Sequence, residues 1–221
     1  MRSLLVSLHE KTKPYKAVVM GVGNILWADE GFGCRAAEAF NERWLAPEAV
    51  PVIDGGTLGG MLSAYVEATD LLIVFDCCDF AAAPGTFGVL EGDAIRPWLS
   101  SKFSAHQEGL NDLFATARLL GRYPREVFVL GCQPETLEDY GGSLTPKVSA
   151  AVPAAIEKAA KILASHGIAL TPRAEGDAAA PLGDASLSRR AYEAGRPSED
   201  AACRYGDPRF MPGIFAAPKE K

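Results

Sequence analysis

Leu71, Leu72, Ile73, Val74 and Phe75, closed by Asp76, form the segment that most limits what this chain can become. The run does not alternate apolar with polar, as a strand with one face in water would. It therefore marks a strand covered on both sides. The acid at its end costs stability unless it meets a partner. Residues 17–22 repeat the theme, an apolar run ended by glycine, and so do 50–54, ending at Gly55 and Gly56, and 126–132. Helical spacing appears between these runs. Phe32, Ala36, Ala39 and Phe40 share a face over 31–45, with Asp29 as the expected N-cap. Residues 58–69 and 107–120 read as helices, and 145–166 as one long helix containing Pro153. Residues 86–91 alternate weakly and suit an edge strand. Strands alternating with helices predict an α/β fold, a three-layer α/β/α sandwich on a mostly parallel, twisted sheet of about five strands.

The pattern fades near residue 170. Residues 171–221 hold six of the fifteen prolines and eleven alanines, with no sustained hydrophobic period. The expected organisation is an N-terminal extension over 1–15, a domain over 16–170 and a weakly structured Pro/Ala-rich tail over 171–221. Residues 205–215 of that tail carry enough aromatic and apolar side chains to dock on something. The tail's eight basic and eight acidic residues cancel, so the whole formal charge of −6 belongs to 1–170. That excess argues against a nucleic-acid or anionic-membrane surface. No apolar run approaches the roughly 18–20 residues that span a bilayer. Glu10, Lys11 and Lys13 interrupt a faintly signal-like start. Five cysteines, Cys77 and Cys78 adjacent, make no disulfide framework in a chain this long. The expectation is a cytoplasmic monomer with reduced thiols.

Open α/β sheets bind ligands beyond the carboxyl ends of their strands, where the strand order reverses. If the order begins 2-1-3, the first and third strands flank that crevice and lead into Asp29, Glu30 and Asp76. His106 stands just before a helix. Two carboxylates and an imidazole would make an open first-row transition-metal site with room for water or substrate. Plainer readings stand beside this one: Glu30 complementing a helix dipole, His106 a loop histidine. His9 lies in the extension and His166 at a helix C-terminus, so neither joins the site. Gly21 and Gly23 after a strand invite a dinucleotide reading, with Asp54 as the ribose acid. Against it, Leu26 occupies the third glycine position, and Asp29 and Glu30 put negative charge where a pyrophosphate would sit. Cys77 or Cys78 paired with His106 would make a thiol nucleophile, but no neighbouring cation lowers a thiol pKa there.

The ordered set is more specific than its parts: Gly21 through Gly33, Asp54-Gly-Gly-Thr57, the strand ending at Asp76, Ser104 through Leu110, and Gly131-Cys-Gln-Pro-Glu135. Over about residues 16–168 it resembles the nickel–iron hydrogenase maturation endopeptidases. The resemblance implies a single α/β/α domain that cleaves a C-terminal extension from the hydrogenase large-subunit precursor after nickel insertion. It implies that Glu30, Asp76 and His106 contact the metal and carry catalysis. The nickel would arrive with the precursor and not be permanently bound. Asp54 matches a further family acid, and Asp54, Gly55 and Gly56 are candidate contacts to the substrate peptide. Nothing functional carries over to Cys77 or Cys78. Two other readings stay open: a nickel-dependent assembly factor that does not cut, and a self-sufficient hydrolase with its own metal or a Cys–His pair.

Overall fold

The computed structural model describes residues 13–100, 105–174 and 176–197. In chain order the elements are β1 (Val18–Val22), α1 (Phe32–Arg43), β2 (Trp44–Leu45), β3 (Val52–Gly56), α2 (Ser63–Val66), β4 (Leu71–Cys77) and β5 (Phe87–Glu91). Then come α3 (Ile95–Ser100), α4 (Ala105–Leu119), β6 (Glu126–Cys132), α5 (Pro146–Ser149), α6 (Val152–Ser165), β7 (Thr171–Pro172) and α7 (Arg189–Gly195). Five strands form one sheet in the order β3-β1-β4-β6-β5, parallel throughout except for β5 at the edge. This is the expected mostly parallel three-layer architecture.

The unalternated run explains the layering. Every residue of β4 is buried. Leu71, Ile73, Phe75 and Cys77 enter one core with Phe32, Ala36 and Phe40 of α1 and Ala155, Ala159 and Leu163 of α6. Leu72 and Val74 enter the other with Val66 of α2, Trp98 of α3 and Leu113 and Phe114 of α4. Alternation across a strand, with apolar residues at both parities, gives the sheet two buried faces. Glycine lets α1 approach the strand ends directly. A Cβ at Gly33 would collide with the carbonyl oxygens of Val22 and Phe75, and one at Gly21 with that of Gly33. The glycine-rich turn thus seats a helix against two strands, which is a packing role and not a phosphate cradle.

Three local expectations change. Residues 58–69 form a 3-10 turn, Gly59–Leu62, followed by the single turn α2; Gly59 has a φ of +50°, so no regular helix can start before it. The long helix over 145–166 divides into α5 and α6. Pro153 falls in the first turn of α6, where its missing N–H costs nothing. Asp29 caps no helix. The N-cap position of α1 is Gly31, because the 3-10 turn Ala28–Gly31 intervenes.

Residues 171–174 and 176–195 lie over the domain. β7 pairs with β2, and Asn41 Nδ2 donates to the Ala180 carbonyl at 2.8 Å. Arg35 Nη1 donates to the Leu187 carbonyl at 2.7 Å, and Glu38 accepts from the Arg189 N–H at 2.8 Å. The polar face of α1 supplies these partners, so composition alone could not reveal them. At the other end, Lys13 reaches the Thr69 carbonyl and the Asp70 carboxylate, and Tyr15 stacks on Tyr65. Residues 1–12 and 205–215 lie outside the described residues. Among the described residues no helix is long and apolar enough to cross a membrane.

Candidate functional site

β1 lies between β3 and β4. The chain leaves β1 for α1 on one face of the sheet and runs on from β4, through β5, to α3 and α4 on the other. The connections part at the carboxyl ends of β1 and β4, which opens the expected crevice at the switch point. Two of the anticipated acids stand at these ends.

Glu30 belongs to the turn after β1 and is half-buried. The turn is strained: Ala28, a buried non-glycine residue, has a φ of +45°, a conformation costing roughly 1–3 kcal/mol. Asp29 holds it there. Its buried carboxylate accepts from Glu135 N at 2.9 Å, Thr136 N at 3.1 Å, Thr145 N at 2.7 Å and Thr145 Oγ1 at 3.0 Å. One side chain therefore ties the β1–α1 turn to the loop that follows β6.

Asp76 is fully buried. Its Oδ1 accepts from Cys77 N at 2.8 Å, and its Oδ2 from Trp98 Nε1 at 2.9 Å. The even position in β4 aims it at the face covered by α3 and α4. The costly acid at the strand end thus has its partner, an indole 22 residues away in sequence. A buried indole N–H needs an acceptor just as the acid needs donors, but no spacing rule pairs them. His106 is the second residue of α4, not a loop residue. Its side chain lies outside the described residues. The start of α4 packs on the turn after β3, where a Cβ on Gly59 would meet Gly109.

The thiols are poor nucleophiles. Burial pushes Cys77 well up, and the charges of Asp76, Asp29 and Glu30 push it further. Burial and Asp76 do the same to Cys78, and burial with Asp29 brings Cys132 to about 12. A thiol needs a cation nearby to ionise at neutral pH; here acids surround it. Among the described residues no group of three or more His, Cys, Asp or Glu could hold a metal ion.

Asp54 is the exposed middle residue of β3, its Oδ1 accepting from Gly56 N at 3.0 Å. Gly23 N donates to the Gly56 carbonyl, so the end of β3 borders the turn that carries Glu30. Asp54 also lines a cavity of about 240 Å³ between α1 and residues 179–188. His166 caps α6 beside Glu126, at the start of β6 and the far end of the sheet. Its Nδ1–H donates to the Ile162 carbonyl at 2.7 Å, which raises its pKa.

The family model described as hydrogenase maturation protease matches residues 34–162. The hydrogenase expression/formation protein HupD of Rhodobacter capsulatus is 46% identical over 201 residues, covering 90% of this chain and 95% of that protein. A match this long must take in the segment laid over α1. The hydrogenase 2 maturation protease of Escherichia coli is 36% identical over 159 residues, 72% of this chain and 96% of its own. Among solved structures, the hydrogenase maturating endopeptidase HybD from E. coli superposes with a TM-score of 0.69 at 35% identity. It covers 73% of this chain and 99% of its own.

Proposed function

The chain belongs to the hydrogenase maturation protease family, and on that premise we propose that it removes the C-terminal extension of a nickel–iron hydrogenase large-subunit precursor once nickel has been inserted. The observation that carries the reading is the pair of acids, Glu30 and Asp76, on the turns and strand ends at the switch point of a parallel sheet. Nickel is part of the substrate. It comes bound to the precursor, and Glu30, Asp76 and His106 supply oxygen and nitrogen donors to its open positions. A nickel-bearing precursor docks productively because the crevice completes the coordination of its metal; a nickel-free one has nothing for the acids to hold. The trio then sets the scissile bond above the strand ends, and the metal or a carboxylate activates water. Asp54, Gly55 and Gly56 make the carboxyl end of the adjoining strand β3 and contact the substrate peptide. The reaction runs in the cytoplasm, with the protease a monomer and the precursor its partner.

The test is a cleavage assay on purified cognate precursor, nickel-loaded beside nickel-free, read by mass. Cutting of the loaded form alone is the expected result. Cutting of both would mean a hydrolase with its own chemistry, and cutting of neither would favour an assembly factor that does not cut. Asp76 also needs Trp98. Trp98→Phe keeps the ring in its pocket and removes the N–H that fixes Oδ2, so the cleavage rate is expected to fall roughly 10–100-fold. The melting temperature should drop by only a few degrees, as for one lost hydrogen bond. An unchanged rate would remove Trp98 from the positioning of Asp76.

A further inference from the structure

Nine large hydrophobic side chains are exposed among the described residues, and five of them, Leu26, Trp27, Leu58, Met61 and Tyr140, stand at the carboxyl end of the sheet. Scattered exposed apolar side chains need no explanation; a cluster at the mouth of a crevice does. Leu26 and Trp27 precede Glu30 on the β1–α1 side, and Tyr140 joins them from the loop after β6. The Trp27 and Tyr140 rings meet edge-on at 5.1 Å, and Gly141 N donates to the Leu26 carbonyl at 2.7 Å. Leu58 and Met61 are exposed on the turn after β3, next to the start of α4.

We propose that these two banks grip a neutral, apolar stretch of the precursor's cleaved extension while the metal-bearing part lies on the acidic floor between them. The inference rests on the processing reading above and names which part of the substrate each surface takes. Charge decides the occupant. Glu30, Asp54 and Asp76 repel an acidic peptide and attract a cationic centre, whereas the banks are apolar and match a segment with no charge to desolvate. The first bank is already rigid before anything binds. Asp29 anchors its loop with four hydrogen bonds. α7 adds two more, Tyr192 Oη to the Gly142 carbonyl at 3.2 Å and Ser143 Oγ to Glu193 Oε1 at 2.6 Å. Walls that need no ordering waste little binding energy.

The test is steady-state cleavage of nickel-loaded precursor by Met61→Ser, Leu58→Ser and Trp27→Ser. Leu119→Ser, 89% exposed near the end of α4, serves as the control. Met61, at 70% exposed, can be changed without disturbing the core. Each bank variant should raise KM at least about tenfold with the loss falling on KM and not on kcat, since uniform binding is what is removed. A precursor whose extension has its apolar residues replaced by serine should show the same rise with the unaltered enzyme. Bank variants with KM within twofold of the unaltered enzyme would overturn the proposal while leaving the processing reading intact. Failure of the unaltered enzyme to cut the loaded precursor would remove both.

Discussion

Asp76→Asn is expected to slow cleavage of nickel-loaded precursor about 10²–10⁴-fold while the protein stays folded. The substitution keeps the shape and removes the charge that would meet the metal or take a proton from water. It also has a structural cost. Among the described residues, Asp76 accepts from Cys77 N–H on one oxygen and from Trp98 Nε1–H on the other. An amide has one acceptor oxygen, so whichever way it turns, one donor faces an NH₂ group. A buried donor left without an acceptor costs about 1–3 kcal/mol, enough to lower the melting temperature by several degrees in a chain of this size and too little to unfold it. Rate and melting temperature must therefore be read together. A rate lost with the fold kept assigns Asp76 to the chemistry. Asp76→Ala is the poorer test, because it orphans both donors. His106→Ala should match the rate loss, and normal cutting by both variants would mean that the site lies elsewhere.

Asp29→Ala is expected to be the most destabilising single change near the crevice, by about 3–5 kcal/mol. Three backbone N–H groups and the Thr145 hydroxyl converge on this carboxylate. Hydrogen bonds to an ionised acceptor are stronger than neutral ones, and alanine leaves every donor without its partner. The strained Ala28 would lose the contacts that hold it. Chemical denaturation should show a lower midpoint with little change in slope. Asp29→Asn retains one acceptor and should lose less. Loss of under 1 kcal/mol in the alanine variant would show that the loop after β6 is held by something else. Because Tyr140 belongs to that loop, the same variant should also weaken precursor binding.

Much of the fold can be read along the chain because it depends on local pattern. Residues 71–76 can be covered only on both faces, so the layers follow from one segment; the alternation of runs then gives the parallel sheet. Glu30 and Asp76 were legible for the same reason: each ends or follows a strand, and strand ends are where such sheets bind ligands. Asp29 was not, since a residue just before a helix reads as its cap, and only the intervening 3-10 turn rotates it inward. The packing of residues 171–174 and 176–195 was hidden too. It rests on side chains of α1 that look like a solvated helix face until a second segment lies on them.

The architecture follows from hydrophobic period, which acts over short distances along the chain, and the family from the resemblance carried by the ordered motifs. The tertiary structure alone decided which donors hold Asp76, which loop Asp29 anchors, and which exposed apolar side chains face one another. The Trp98–Asp76 and Thr145–Asp29 pairings span 22 and 116 residues. Hydrogen bonds at that range have no period to betray them; the sheet must assemble before the groups meet.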